Sequence, residues 1–173
     1  LAQIDAHQGE EMNWWDDVPI SKIYDRLYVG GYVQAARLST ENPLKITAVL
    51  DVSTAAAWER PASYTEAKGI TYCHIPFPDG EEIPEKEFWE CMAFLQQHYD
   101  SRIYQDGNVL IHCAAGISRS VVLAASFMHY TQIMDFLEAL EWIKKRRTIA
   151  NPHVKILTSA KKILKIWPYG TLD

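Results

Sequence analysis

Cysteine is scarce in this chain, and the three present, Cys73, Cys91 and Cys113, fall into no framework spacing. A disulfide-stapled scaffold is thereby excluded, and a reducing compartment is expected. Neither C-x-x-C nor H-x-x-x-H occurs, so no metal site is expected. No apolar run approaches the roughly 20 residues of a membrane span, and no membrane insertion is expected. No segment reads as a signal peptide, and no N-x-S/T acceptor occurs. Internal repeats and low-complexity tracts are lacking as well. Positive charge is the minority sign: 17 Lys and Arg stand against 22 Asp and Glu, for a net charge of −5. That balance argues against nucleic acid or an acidic membrane as partner. The chain opens on Leu1 rather than methionine, as a chain trimmed upstream would.

What is present is ordinary for a globular protein, with 48% hydrophobic and 23% charged residues in 173. That length suits one domain with a proper core. Residues 1–19 read as a polar, acidic extension, packed on the domain or flexibly attached to it, and residues 20–173 as the domain itself. Trp14 and Trp15 are expected to dock that extension on the domain, with substrate contact as the alternative. Strands and helices alternate. Lys22–Val29 reads as a hairpin turning at Asp25-Arg26, and Ile46–Val52, Ile70–Ile75 and Val109–His112 as buried strands. A helix is expected from Pro84 to about Asp100, with Phe88, Met92 and Leu95 on its buried face. Asp135–Arg147 is amphipathic through Phe136, Leu137, Leu140 and Ile143. Asn151-Pro152 reads as an N-cap and first helical position for a last helix carrying Ile156, Leu157, Ile163 and Leu164. The fold class predicted is α/β, a mainly parallel sheet of about five strands flanked by helices. Lys144-Lys145-Arg146-Arg147 reads as a solvated helix end complementing the dipole, with a localisation signal as the alternative.

The densest signal is Val109-Leu110-Ile111-His112-Cys113-Ala114-Ala115-Gly116-Ile117-Ser118-Arg119-Ser120. An apolar strand ends in a cysteine, turns through small residues and opens a helix. The full pattern should arise by chance in well under about one in a thousand chains of this length. A helix N-terminus offers free N–H groups and partial positive charge, so it favours anions. The first turn here carries no carboxylate, which leaves that end to a ligand. N–H groups from Ala114, Ala115, Gly116, Ile117, Ser118 and Arg119 can form a nest around a phosphoryl group, and Gly116 tolerates the positive φ such a curl needs. Arg119 can hold two phosphate oxygens with its planar fork. A thiol in this setting ionises readily and becomes a nucleophile. Ser120 can donate a hydrogen bond to the Cys113 sulfur. His112 faces away from the ligand, because strand neighbours point to opposite sides, and is read as bonding the loop backbone. Cys73 and Cys91 read as small core residues; Cys73 is alternatively a resolving partner for an oxidised Cys113.

His112 through Ser120 resembles the signature loop of the cysteine-dependent dual-specificity protein phosphatases. Ile23–Gly30 is similar to that family's opening hairpin, Ile46–Ser53 to its next strand, and Gly69–Tyr72 leads into a proline-rich loop holding Asp79, as the family's general-acid loop does. Ala139–Ile143 with Arg146, Arg147, Ile149, Asn151 and Pro152 is similar to its C-terminal helical pattern. The resemblance covers about residues 20–166. It implies that Cys113 attacks phosphorus to form a phosphocysteine, Asp79 protonates the leaving group and then activates water, Arg119 stabilises the transition state, and Ser120 helps the thiolate depart. No metal or organic cofactor is implied. Glu81 and Glu82 share the loop with Asp79 and are the competing acids, and Asp79-Gly80 is also a plain turn signal. Pro78 departs from the family pattern and stiffens the loop.

The loop positions Ala114, Ala115 and Ile117 carry no lysine for extra phosphates, and Glu81, Glu82, Glu85 and Glu87 follow the acid. Both features favour phosphotyrosine, phosphoserine and phosphothreonine proteins as substrates over polyanionic headgroups. A non-catalytic phosphoprotein-binding scaffold and a lipid or carbohydrate phosphatase are the alternatives. A cytoplasmic location is expected, with the nucleus as the alternative, and nothing in the sequence specifies an oligomeric state.

Overall fold

A computed structural model describes residues 13–54, 69–99 and 107–166. Strand β1 (Ser21–Tyr24) and strand β2 (Leu27–Gly31) form an antiparallel hairpin. Its turn is made by Arg26 in the left-handed region (φ 59°). The Arg26 guanidinium ties that turn to the carbonyls of Gly107 and Tyr99. Beyond the hairpin the sheet is parallel. Strand β3 (Ile46–Asp51) pairs with β4 (Thr71–His74) and with β5 (Asn108–Cys113), and β5 pairs with β2, giving the order β1-β2-β5-β3-β4. The strand that ends in Cys113 is thus the central one. A parallel centre with an antiparallel edge hairpin fits the predicted class, and site residues at the carboxyl end of a central strand suit it.

Alternation along the strands divides two cores. Val109, Ile111 and Cys113 of β5, with Leu27, Val29, Ala48 and Leu50 beside them, face the larger one. Leu110, Val49 and Tyr28 face the smaller one, covered by the short helix α1 (Tyr32–Ala36) and Leu38. The larger core is closed by α2 (Glu85–Tyr99), α3 (Arg119–Tyr130), α4 (Phe136–Arg146) and α5 (Val154–Leu164). Helix α3 is buried from Arg119 to Met128, which is why its sequence is apolar all round. Among the described residues no helix is long and apolar enough to cross a membrane.

Several expectations need correction. Ile70–Ile75 was expected as a buried strand. β4 covers only Thr71–His74 and lies at the sheet edge, with no residue of it fully buried. An edge strand has one neighbour, so Thr71 and His74 stay wet. α2 buries Phe88, Met92 and Leu95 as predicted, with Cys91 added to the stripe; Asp100, its expected end, lies outside the described residues. In α4, Leu137 is 57% exposed. At about 100° per residue it sits off the stripe set by Phe136, Ala139, Leu140 and Ile143. Arg147 is not a solvated end either: it is 1% exposed. Counting on from Phe136, Leu140 and Ile143, position 147 falls on the same buried stripe.

Helix α5 starts at Val154 with His153 as its N-cap, not at Pro152 after Asn151. The reason is a pull from the signature loop. The Asn151 N–H donates to the Ile117 carbonyl (2.9 Å) and the His153 N–H to Ser118 Oγ (2.8 Å). The segment is therefore committed to the loop before the helix can begin. At the other end of the domain, Trp14–Asp17 forms a 3-10 turn against α1, where Gln34 Nε2 donates to the Asp16 carbonyl (2.6 Å). Trp14 itself is 61% exposed. Residues 1–12 of the expected extension lie outside the described residues.

Candidate active site

The loop between β5 and α3 is built by fixing its carbonyls. The Cys113 carbonyl meets His112 Nδ1 (3.0 Å). The Ala114 carbonyl accepts from the Tyr32 N–H (3.1 Å). Arg147 takes the next two, donating from Nη2 to the Ala115 carbonyl (3.2 Å) and from Nε to the Gly116 carbonyl (2.6 Å). The Ile117 carbonyl accepts from the Asn151 N–H. A trans peptide points its N–H opposite to its C=O. Every carbonyl from Cys113 to Ile117 is thus held outward, which turns the N–H groups of Ala114 to Ser118 toward the inside of the curl. Among the described residues, none of the N–H groups from Ala115 to Ser120 donates to another residue. This is an anion nest at a helix N-terminus.

Gly116 makes the curl possible. Its φ is +71°, and a Cβ there would lie 2.5 Å from Arg147 Nη2 and 2.7 Å from the Gly30 carbonyl. Both conformation and space therefore require glycine.

Cys113 lies at the base of the nest, 2% exposed, with its Sγ 3.2 Å from Ser120 Oγ. Arg119 is buried beside it and donates from Nη1 to the Phe77 carbonyl (3.0 Å), with a longer contact to the Val52 carbonyl (3.5 Å). Its Nε is buried without a hydrogen-bond partner among the described residues. An orphaned buried guanidinium donor is costly, and an oxyanion in the nest would satisfy it. His112 points away from the nest, as its place on the strand requires; its Nε2 lies 3.7 Å from Asp51 Oδ2.

Asp79 follows β4 on an exposed turn with Gly80 (φ +78°). Its loop is anchored where Phe77 is buried, by the Arg119 bond and by the Phe77 N–H to the Val52 carbonyl (3.3 Å). The Asp79 carboxylate makes no hydrogen bond with the described residues, Cys113 and Arg119 included. Glu81, Glu82 and Glu85 on the same stretch are exposed. The structure thus brings Cys113, Arg119, Ser120 and the nest together and ties the Asp79 loop to them by its backbone.

Two participants escaped the sequence reading. Arg147 bonds the outer side of the nest and also Pro19 O and Ser21 Oγ (both 2.9 Å). Burial pushes its guanidinium below the ordinary value, while negative charge on Cys113 opposes that shift. Its phase on the α4 stripe was the available signal. Asp51 is buried under His112 and accepts from Ser53 N (2.8 Å) and Oγ (2.5 Å); a lone aspartate ending a strand offered none.

Cys73 is not placed to resolve an oxidised Cys113. It pairs with Leu50, which pairs with Ile111, so β4 lies two strands from β5, roughly 10 Å away and beyond disulfide reach. Burial, then Glu90, pushes the Cys73 thiol up; burial, then Cys73, Glu90 and Glu87, pushes Cys91 up strongly. Brief iodoacetamide treatment near neutral pH is therefore expected to leave Cys73 and Cys91 unmodified, as read by peptide mass spectrometry.

The family model for the dual specificity phosphatase catalytic domain matches residues 27–162. Dual specificity protein phosphatase 15 of Homo sapiens is 34% identical over 128 residues, covering 73% of this chain and 40% of that protein. Dual specificity protein phosphatase 1 of Arabidopsis thaliana is 31% identical over 151 residues, covering 87% of this chain and 71% of that one. The chain spans about half the length of the mammalian relatives it matches. The crystal structure of DUSP15 superposes with a TM-score of 0.69 at 29% identity, over 83% of this chain and 86% of that one. A human tyrosine phosphatase-like serine/threonine/tyrosine-interacting protein shares the fold, with a TM-score of 0.70 at 21% identity over 86% of this chain and 97% of that one.

Proposed function

Because the chain belongs to the dual specificity phosphatase family, we propose that it hydrolyses phosphate monoesters on phosphotyrosine and phosphoserine or phosphothreonine proteins. The observation that carries this reading is the ring of outward-tied carbonyls around Cys113, which leaves a preorganised set of donors for a phosphoryl group. Donors fixed in advance cost no reorganisation when charge develops, so they favour the transition state over the ground state.

In the first step the Cys113 thiolate attacks phosphorus. The S–P bond forms as the P–O bond to the substrate breaks, and the leaving oxygen takes its electron pair and the proton of Asp79. Arg119 Nε and the nest N–H groups hold the equatorial oxygens. In the second step water attacks phosphorus and gives a proton to the Asp79 carboxylate. The P–S bond breaks, its electron pair returns to sulfur, and inorganic phosphate departs. Ser120 Oγ, 3.2 Å from the sulfur, stabilises the returning thiolate by a hydrogen bond.

The assignment of protein substrates is supported by what surrounds the nest. Ala114, Ala115 and Ile117 offer no cation for further phosphates, and Glu81, Glu82 and Glu85 are exposed beside Asp79. A polyphosphorylated headgroup would be repelled there. Phosphate release measured side by side from phosphopeptides, phosphoinositides and phosphoglucan tests this; faster release from either non-protein substrate overturns it.

Asp79 is tested separately. Asp79→Asn is expected to lower kcat/KM on phenyl phosphate by about 10²–10⁴-fold, the usual share of a general acid. The loss should be much smaller on a fluorinated aryl phosphate, whose phenol leaves without a proton. The same leaving-group-dependent loss in Glu81→Gln or Glu82→Gln would reassign the acid.

A further inference from the structure

The Asp79-Gly80 turn has a neighbour that the mechanism above does not use. A Cβ placed on Gly80 would meet three contiguous ring atoms of His153, Nε2 at 3.7 Å, Cδ2 at 3.9 Å and Cε1 at 4.0 Å. The Nε2 end of the imidazole is thus what the turn faces. At the other end of the ring, Nδ1 accepts the N–H of Lys155 (3.1 Å). A neutral ring that accepts at Nδ1 carries its proton on Nε2, so the end facing the turn is a donor. The main chain of the same residue is bonded to the nest, through the His153 N–H and Ser118 Oγ (2.8 Å). Ser118 is the N-cap of α3 and is buried. His153 therefore holds the rim of the nest with its backbone, while its exposed ring stands within a side chain's reach of the acid turn. The acid loop is also linked to Arg119, which donates to the Phe77 carbonyl.

The geometry points to His153 as a positioning residue for the acid: its ring stands beside the Asp79-Gly80 turn, limits the travel of that turn toward α5, and so sets how far the Asp79 carboxyl reaches over Cys113. This rests on the reading of Asp79 as the proton donor. Proton transfer demands heavy-atom approach within hydrogen-bond reach, and a misplacement of about 1 Å can cost up to about 100-fold. The positive φ of Gly80 sharpens the turn that presents Asp79.

The test uses kcat/KM on phenyl phosphate and on a fluorinated aryl phosphate, in His153→Ala, His153→Asn, Asp79→Asn and the double variant Asp79→Asn with His153→Asn. Asparagine keeps an acceptor for the Lys155 N–H and so preserves the helix cap while removing the ring. Both His153 variants are expected to lose about tenfold on phenyl phosphate and to stay within about twofold of the parent on the fluorinated ester. The melting temperature of His153→Asn should match the parent. In the Asp79→Asn background the His153 change should have no further effect, since residues acting through one another are not additive. Equal losses on both esters, full rescue by His153→Asn, or an undiminished loss in the Asp79→Asn background each overturns the proposal. Were Asp79→Asn itself to slow both esters equally, the acid assignment would fall and this proposal with it. If Asp79→Asn keeps its leaving-group dependence while the His153 variants show none, only the role of His153 is refuted.

Discussion

Phosphate release from an aryl phosphate is expected to fall by at least about 10⁴-fold when Cys113 is replaced by serine, a loss of the size seen when a covalent nucleophile is removed from a catalytic unit. Serine has the shape of cysteine but a far less acidic hydroxyl, so the donors around the position cannot keep it ionised. The nest should survive the change. Its carbonyls are held by Tyr32, Arg147 and Asn151, none of which bonds the sulfur. The variant should therefore melt near the parent temperature and still bind phosphopeptide. Near-parental turnover would sink the phosphocysteine scheme. Lost turnover together with lost phosphopeptide binding would show that the nest does not survive the change.

Arg147→Met should have the second-largest effect, and it should be felt in both stability and rate. Methionine fills much of the volume but donates nothing. Four acceptors, on Ala115, Gly116, Pro19 and Ser21, lose their partner together. At about 1–3 kcal/mol for each buried group left unsatisfied, and allowing for partial relaxation, a loss of about 3 kcal/mol or more is expected. For a domain of this size that is a drop of roughly 6–12 °C in melting temperature. Assayed well below its melting temperature, the variant should still be slow, because the Ala115 and Gly116 carbonyls are free to rotate inward and carry their peptide N–H groups out of the nest. Arg147→Lys keeps the charge but loses the fork, so it should recover only part of the rate. A variant that melts early yet turns over normally in the cold would reduce Arg147 to a core residue.

Much of this site was legible in the chain because it is local. Cys113, Gly116, Arg119 and Ser120 lie within one strand–turn–helix, so their spacing alone implies a curl over a sulfur. The phases of α2 and α4 were readable for the same reason, since a helical stripe is a property of neighbours three and four apart. Errors arose where a local rule met a distant partner. Asn151-Pro152 looked like a helix start, but the Asn151 N–H is spent on the Ile117 carbonyl. Lys144 to Arg147 looked like a solvated run, but α4 rotates its last member into the core, under the nest. Ile70 to Ile75 looked buried, but sheet order puts β4 at an edge.

The sequence by itself determined that a curl of small residues, able to take a phosphate-sized anion, would follow a cysteine at the carboxyl end of an apolar strand. Strand, glycine and helix start are contiguous, so no long-range information is needed to draw the curl. Only the tertiary structure decided which way its peptides face. Those carbonyls are tied by Tyr32, Arg147 and Asn151, and the acid turn is flanked by Arg119 and His153, groups from separate elements that meet because β5 lies at the centre of the sheet. A motif names the donors; the packing around it aims them.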